Sequence, residues 1–173
     1  MITPAYVDTM ARYNAWQNRS LYRAADGLSD AARREDRGAF FGSIHGTLSH
    51  LLWADILWMS RFDGWETIEA GISESASWVA DWVDLRERRQ EADTRILAWA
   101  GAITQDRLDG DLSFFSRVLG RQATKPLDFC VVHFFNHQTH HRGQVHAMLT
   151  AAGAKPEDTD LFVMPDDAGE PSH

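Results

Sequence analysis

Apolar residues recur along the chain at helical spacing in four long stretches. The first runs from about Pro4 to Leu28, with Tyr6, Met10, Tyr13, Trp16 and Leu21 near the period of one helix face. Pro4 suits a first turn, where a missing N–H has no partner to lose, and Gly27 stands where a C-terminal cap sits. The second runs from about Phe41 to Phe62 and stops at Asp63-Gly64. Ile44, Leu48, Leu51, Leu52, Ile56, Leu57, Trp58 and Met59 cover nearly its whole circumference, which predicts a helix buried on most sides. The third runs from about Glu74 to Ala100, with Trp78, Trp82, Leu85, Ile96 and Trp99 as its apolar part. Its charged middle, Arg86 to Asp93, reads as a solvated face. The fourth starts at Pro126 and runs to about Ala152, with Gly153 and then Pro156 to end it. Before it, Asp109 to Lys125 breaks the helical period and predicts a short β-hairpin turning near Gly120. The simplest assembly is one all-α domain over 1–173, a four-helix bundle with that hairpin before the last helix. Residues 155–173 make an acidic tail, in which Leu161, Phe162, Val163 and Met164 are expected to tuck against the bundle.

Composition narrows the function. Hydrophobic residues make up 44% of the chain and charged ones 24%, the balance of an ordinary globular protein. The net charge of −8 argues against nucleic acid and against anionic lipid as partners, since both need a basic patch. The most apolar stretch, Ile44 to Met59, is interrupted by His45, His50 and Asp55, and so reads as a buried helix rather than a membrane span. One cysteine, Cys130, excludes an internal disulfide, and no basic start precedes an apolar run at the N-terminus; a cytoplasmic protein is the expectation.

The chemistry lies in the histidines. His45 and His50 fall on the second helix; His133, His137, His140, His141 and His146 fall on the fourth. Cys130, Phe134, His137, His141, Val145, Met148 and Ala152 follow one another at steps of three and four, the stripe a helix turns toward a bundle core. Cys130 reads there as a core thiol. Two imidazoles thus occupy adjacent core positions, about 6 Å apart along the axis, where both can reach one point. Burying them without partners costs about 1–3 kcal/mol each, and a shared divalent ion removes that cost. A lone helix histidine is read first as structural, and His133, His140 and His146 keep that reading. The third ligand stays open at this level. His45 and His50 are about 140° apart around their helix, so both cannot reach one ion, and His133 lies one turn before His137.

The run Asn136-His137-Gln138-Thr139-His140-His141-Arg142-Gly143-Gln144 resembles the hallmark of the DinB family of bacterial proteins. Tyr13-Asn14-Ala15-Trp16 early in the first helix is similar too, as are Gly42 to Leu52, Ala54-Asp55 and Trp58 in the second, and Pro156 with Asp158-Thr159-Asp160 after the last. The resemblance spans about Ala5 to Leu161. It implies a four-helix bundle, commonly a homodimer, with a divalent ion held by one histidine of the second helix and two of the last: here His50, His137 and His141. Zinc or nickel is the expected ion, since both suit imidazole ligands. It further implies a metal-dependent enzyme that activates a small thiol or water, of the thiol transferase or isomerase type. A hydrolase and a non-enzymatic metal-stabilised scaffold or sensor are the alternatives. Asp55, Asn136 and Gln144 are read first as ordinary helix contacts and second as groups that orient the ligands.

Overall fold

The protein, described here by a computed structural model, is defined over residues 1–116 and 119–169. Four long helices carry it: α1 (Pro4–Asp26), α3 (Ile44–Phe62), α4 (Trp82–Ala102) and α6 (Leu127–Ala151). Two short ones, α2 (Asp30–Arg34) and α5 (Gln105–Leu108), lie in the connections. Each long helix but the last opens on a side-chain cap: Thr3 Oγ1 accepts from Tyr6 N, Ser43 Oγ from Gly46 N and Asp81 Oδ1 from Asp84 N. α1 packs on α4 and α6, and so does α3, so α1 and α3 stand diagonally across the bundle. Val7, Leu21, Leu48, Leu52, Leu85, Ile96, Phe134 and Leu149 fill the middle, all at most 1% exposed. Each such side chain contributes roughly 1.5–3 kcal/mol by leaving water.

The expected hairpin is present as β1 (Asp111–Ser116) antiparallel to β2 (Arg121–Pro126), with Asp111 opposite Pro126 and Ser116 opposite Arg121. Gly120 supplies a positive φ of 63° at the turn; Arg117 and Val118 lie outside the described residues, as do Glu170 and His173 of the tail. Leu112 is buried, and Phe114 meets Trp58 of α3 edge-on at 5.6 Å, so the hairpin closes one end of the α3–α6 face.

Four expectations need correction. The third long helix begins at Trp82, not near Glu74; Ile72–Ser77 forms a 3₁₀ turn instead, and Asp81 supplies the cap that starts α4. The second begins at Ile44, because Ser43 caps it and Phe41 belongs to the turn before. Leu161, Phe162 and Val163 face solvent, Phe162 at 87% exposure. The tail is held through its backbone: Tyr13, Gln17 and Arg19 of α1 donate to the carbonyls of Thr159, Asp158 and Ala168. Only Met164 of that apolar set packs, against Tyr13 and Trp16.

The fourth correction matters most. The charged middle of α4 is not all solvated. Arg89 and Asp93 are buried, and Arg89 joins Asp55 of α3 at 2.6 Å and Asp93 at 2.9 Å. Asn14 and Asn18 of α1 reach the same Asp93 carboxylate, at 3.4 and 2.9 Å. Arg142 of α6 donates to Asn14. One polar cluster therefore touches all four long helices. Burial drives the Asp93 carboxyl up to about 6 in spite of Arg89, and pulls Arg142 down to about 10. Removing one partner of such a pair strands the others without water. Arg89→Met should cost about 3–5 kcal/mol of stability in urea unfolding. A loss under about 1 kcal/mol would mean the pairs do not hold the bundle.

Candidate metal centre

α3 and α6 face each other, and three of their histidines meet. One ring nitrogen from each of His50, His137 and His141 lies within 4.8 Å of the others, and among the described residues this is the group of three or more such side chains with metal-binding proximity. His50 and His141 are buried; His137 is half-buried and marks the open side. His50 Nε2 and His137 Nε2 are 3.3 Å apart. Two imidazole nitrogens bound at 2.0–2.1 Å to one tetrahedral ion are about 3.3–3.4 Å apart, so this spacing fits a shared cation.

Proton positions follow from the neighbours. Ser75, in the 3₁₀ turn, gives its one hydroxyl proton to the Ile72 carbonyl at 2.6 Å. Toward His50 Nδ1, 2.9 Å away, it can only accept. Nδ1 of His50 therefore carries the proton and Nε2 the lone pair. Gln144 Oε1 lies 2.7 Å from His141 Nδ1 and sets the same tautomer there. His137 then has two options at 3.3 Å: it turns an Nε2–H onto the His50 lone pair, or both lone pairs serve a cation between them.

A close turn shapes the pocket above. Gly42 has a positive φ of 74°, and a Cβ at Gly46 would meet the Phe41 carbonyl at 2.6 Å, so glycine lets this turn lie against the start of α3. The Phe41 ring is thereby stacked on His50 at 3.7 Å and stands 5.4 Å from His141. Trp53 lies 5.8 Å from His50 on its own helix and is fixed by a hydrogen bond from Nε1 to the Ala70 carbonyl.

The remaining candidates separate cleanly. His45 points away and donates from Nε2 to the Val79 carbonyl at 2.8 Å, with Trp82 alongside. His133 is exposed and rests on Trp58; His140 is exposed beside His141, with its Nε2 3.4 Å from Gln144 Nε2. His146 is half-buried and outside the cluster, and Asn136 is exposed. Asp55 is engaged with Arg89 rather than with a histidine. Cys130 is buried in the core, and burial pushes its thiol up, away from the reactive thiolate. Ser75 and Phe41 carried no signal in the sequence, since both act from turns whose path depends on α3.

Burial lowers His50 and His137 to about 3 and lowers His141 as well, with the neighbouring imidazoles adding to the effect. All three are neutral at pH 7. The unfolded chain takes up protons near 6.5, while the folded metal-free protein refuses them until about 3. Stability of the metal-free protein should therefore fall as pH drops through that window. Between pH 7 and 5 the wild type should lose more stability in urea than His50→Gln/His137→Gln, which lacks both groups. Equal losses would mean the histidines are not shielded from protons.

Comparison with known proteins adds to this geometry. The model of the DinB family matches residues 1–171. Protein DinB of Bacillus subtilis (strain 168) is 26% identical over 157 residues, which cover 87% of this chain and 90% of that protein. A crystal structure of a DinB-like protein from Bacillus cereus superposes with a TM-score of 0.60 at 18% identity, over 83% of this chain and 90% of that one. The fold of the two is thus the same helical arrangement. No helix among the described residues is long and apolar enough to cross a membrane.

Proposed function

The chain belongs to the DinB family, and from that premise we propose that it is a metal-dependent enzyme whose ion, zinc or nickel, is held by His50, His137 and His141. The observation that carries this reading is the convergence of three neutral imidazoles, two of them with Nε2 lone pairs set by their own hydrogen bonds. Imidazole suits both metals. Three protein ligands make an open site rather than a closed structural one. A divalent ion held there supplies Lewis acidity that lowers the pKa of a coordinated small thiol or water toward neutrality.

The chain's own residues do the rest. Ser75 and Gln144 hold two rings in the tautomer a ligand needs. Phe41 and Trp53 keep water from the His50 side, and half-buried His137 leaves the approach for a small molecule. A thiol transfer or isomerisation is the reaction we favour; hydrolysis by the same site is the alternative.

Metal content of tag-free protein, measured by mass spectrometry after purification without added metal or chelator, tests the site. The wild type and His45→Ala should carry about one ion per chain, and His137→Ala/His141→Ala should carry little. An empty wild type that stays empty after reconstitution would end the proposal. Thiol transfer with a panel of small thiols should then depend on added metal. Equal rates without metal would remove that chemistry while leaving the site. Ser75→Ala and Gln144→Ala should each weaken metal affinity by about 10- to 100-fold without loss of the helical signal. Unchanged affinity would show that the hydrogen bonds do not orient the ligands.

A further inference from the structure

Phe41 touches two of the three clustered imidazoles and, among the described residues, makes no ring contact with the third, His137. Its ring lies nearly parallel to His50, at 21° with centroids 3.7 Å apart, and stands 5.4 Å from His141. His50 and His141 are themselves 4.9 Å apart, so the phenyl group covers the gap between them from one side. The Nε2 lone pair of an imidazole lies in the ring plane, so a ring stacked on His50 also overhangs whatever that lone pair holds. A sulfur bound to such an ion at about 2.3 Å on the covered side would enter the space of the phenyl carbons, whose contacts lie at about 3.5–4.0 Å. Half-buried His137 marks the side left for entry.

The wall is fixed from its backbone. Phe40 and Phe41 are the corners of a turn closed by Gly42 N–H on the Ala39 carbonyl and Arg37 N–H on the Gly42 carbonyl, both at 2.8 Å. The Phe41 carbonyl accepts from Ser43 N at 2.9 Å, and it lies so near Gly46 that a Cβ there would meet it at 2.6 Å. The backbone behind the ring therefore has no slack toward α3. Phe40, the other corner, is 81% exposed and meets the edge of Phe41 at 4.9 Å.

We propose that Phe41 is a specificity-determining residue of the centre, a steric selector that admits a thiol on a primary carbon past His137 and rejects one on a fully substituted carbon. The inference rests on the metal-dependent reading above and names the class of thiol that site takes. A primary thiol carries one carbon substituent and two hydrogens next to sulfur. It can turn the hydrogens to the phenyl wall and lead its chain out past His137. A tertiary thiol carries three carbon substituents there, so one of them points at the wall in every staggered rotamer.

Cobalt(II), which imidazole ligands also accept, is the probe metal, because a near-ultraviolet charge-transfer band reports thiolate bound to it. The cobalt-loaded full chain is titrated with n-butanethiol and with its isomer tert-butanethiol. The wild type should bind the primary isomer more tightly by about 10-fold or more. Phe41→Ala should strengthen the tertiary isomer by about 10-fold and change the primary one by less than about 2-fold. Comparing the two proteins cancels the difference in acidity between the thiols. Phe41→Leu, which keeps an apolar side chain at the wall, should fall between them, and it decides the matter if the alanine variant loses its helical signal. Phe40→Ala should leave both affinities unchanged. A preference that is the same in the wild type and the folded Phe41 variants would overturn the proposal. So would bound cobalt that gives no thiolate band with either isomer, which leaves the metal reading standing. A wild-type chain that takes up no cobalt would overturn the metal reading, and this inference with it.

Discussion

The buried guanidinium of Arg89 is the constraint on which the bundle turns. A cation that far from water is tolerated only when anions meet it at hydrogen-bond distance, and here Asp55 and Asp93 do so at 2.6 and 2.9 Å. Those two carboxylates lie on α3 and α4, and Asn14 and Asn18 tie Asp93 to α1. Apolar packing tolerates sliding by a fraction of a turn, because one Leu resembles another. Directional bonds to a buried charge do not. We read this cluster as what fixes the rotation of α1, α3 and α4 about their axes, at the cost of desolvating four charges, Arg142 included.

That rotation is what the histidine cluster needs. On α6, Gln138 and Arg142 each follow a histidine of the cluster by one residue, so the polar ridge stands about 100° around the helix from the imidazole ridge. Arg142 reaches Asn14 on α1, which turns the His137 and His141 ridge toward α3. On α3, Asp55 engages α4 while His50 faces α6. Each helix is held by one face so that another face presents its histidine. Ser75 and Gln144 then complete locally what the cluster sets globally, the choice of ring nitrogen.

The four long helices and the hairpin were legible because their signals are local: caps, glycines and an apolar period need no knowledge of the partner. The pair His137 and His141 was legible for the same reason, since both interrupt one apolar stripe. Geometry separates His45 from His50 only through Val79 and Ser75, which come from a segment more than twenty residues away; the resemblance had to supply that choice. Arg89 was misread because charge was taken as exposure. Its spacing told otherwise: Trp82, Leu85, Arg89, Ala92, Ile96 and Trp99 step by three and four, all buried. A charged residue inside such a stripe signals a partner, and Asp55, interrupting the most apolar helix, was that partner.

Charge accounting links the cluster to the chemistry of the centre. The polar cluster balances itself, with two arginines against two aspartates. Asp55, the buried carboxylate whose field acts on His141, gives one oxygen to Arg89. Three neutral imidazoles add no charge of their own. A divalent ion held by them, as proposed above, would keep both its positive charges beside the Phe41 ring that stacks on His50. The group that would best complete such a site is an anion small enough to pass His137. Thiolate and hydroxide both qualify, and each is the form in which a thiol or water reacts. A carboxylate ligand in place of one histidine would have taken up part of that charge and weakened the pull on an incoming acid. On the proposed reading, the all-imidazole set leaves the ion's charge to favour the deprotonated form of an incoming thiol or water.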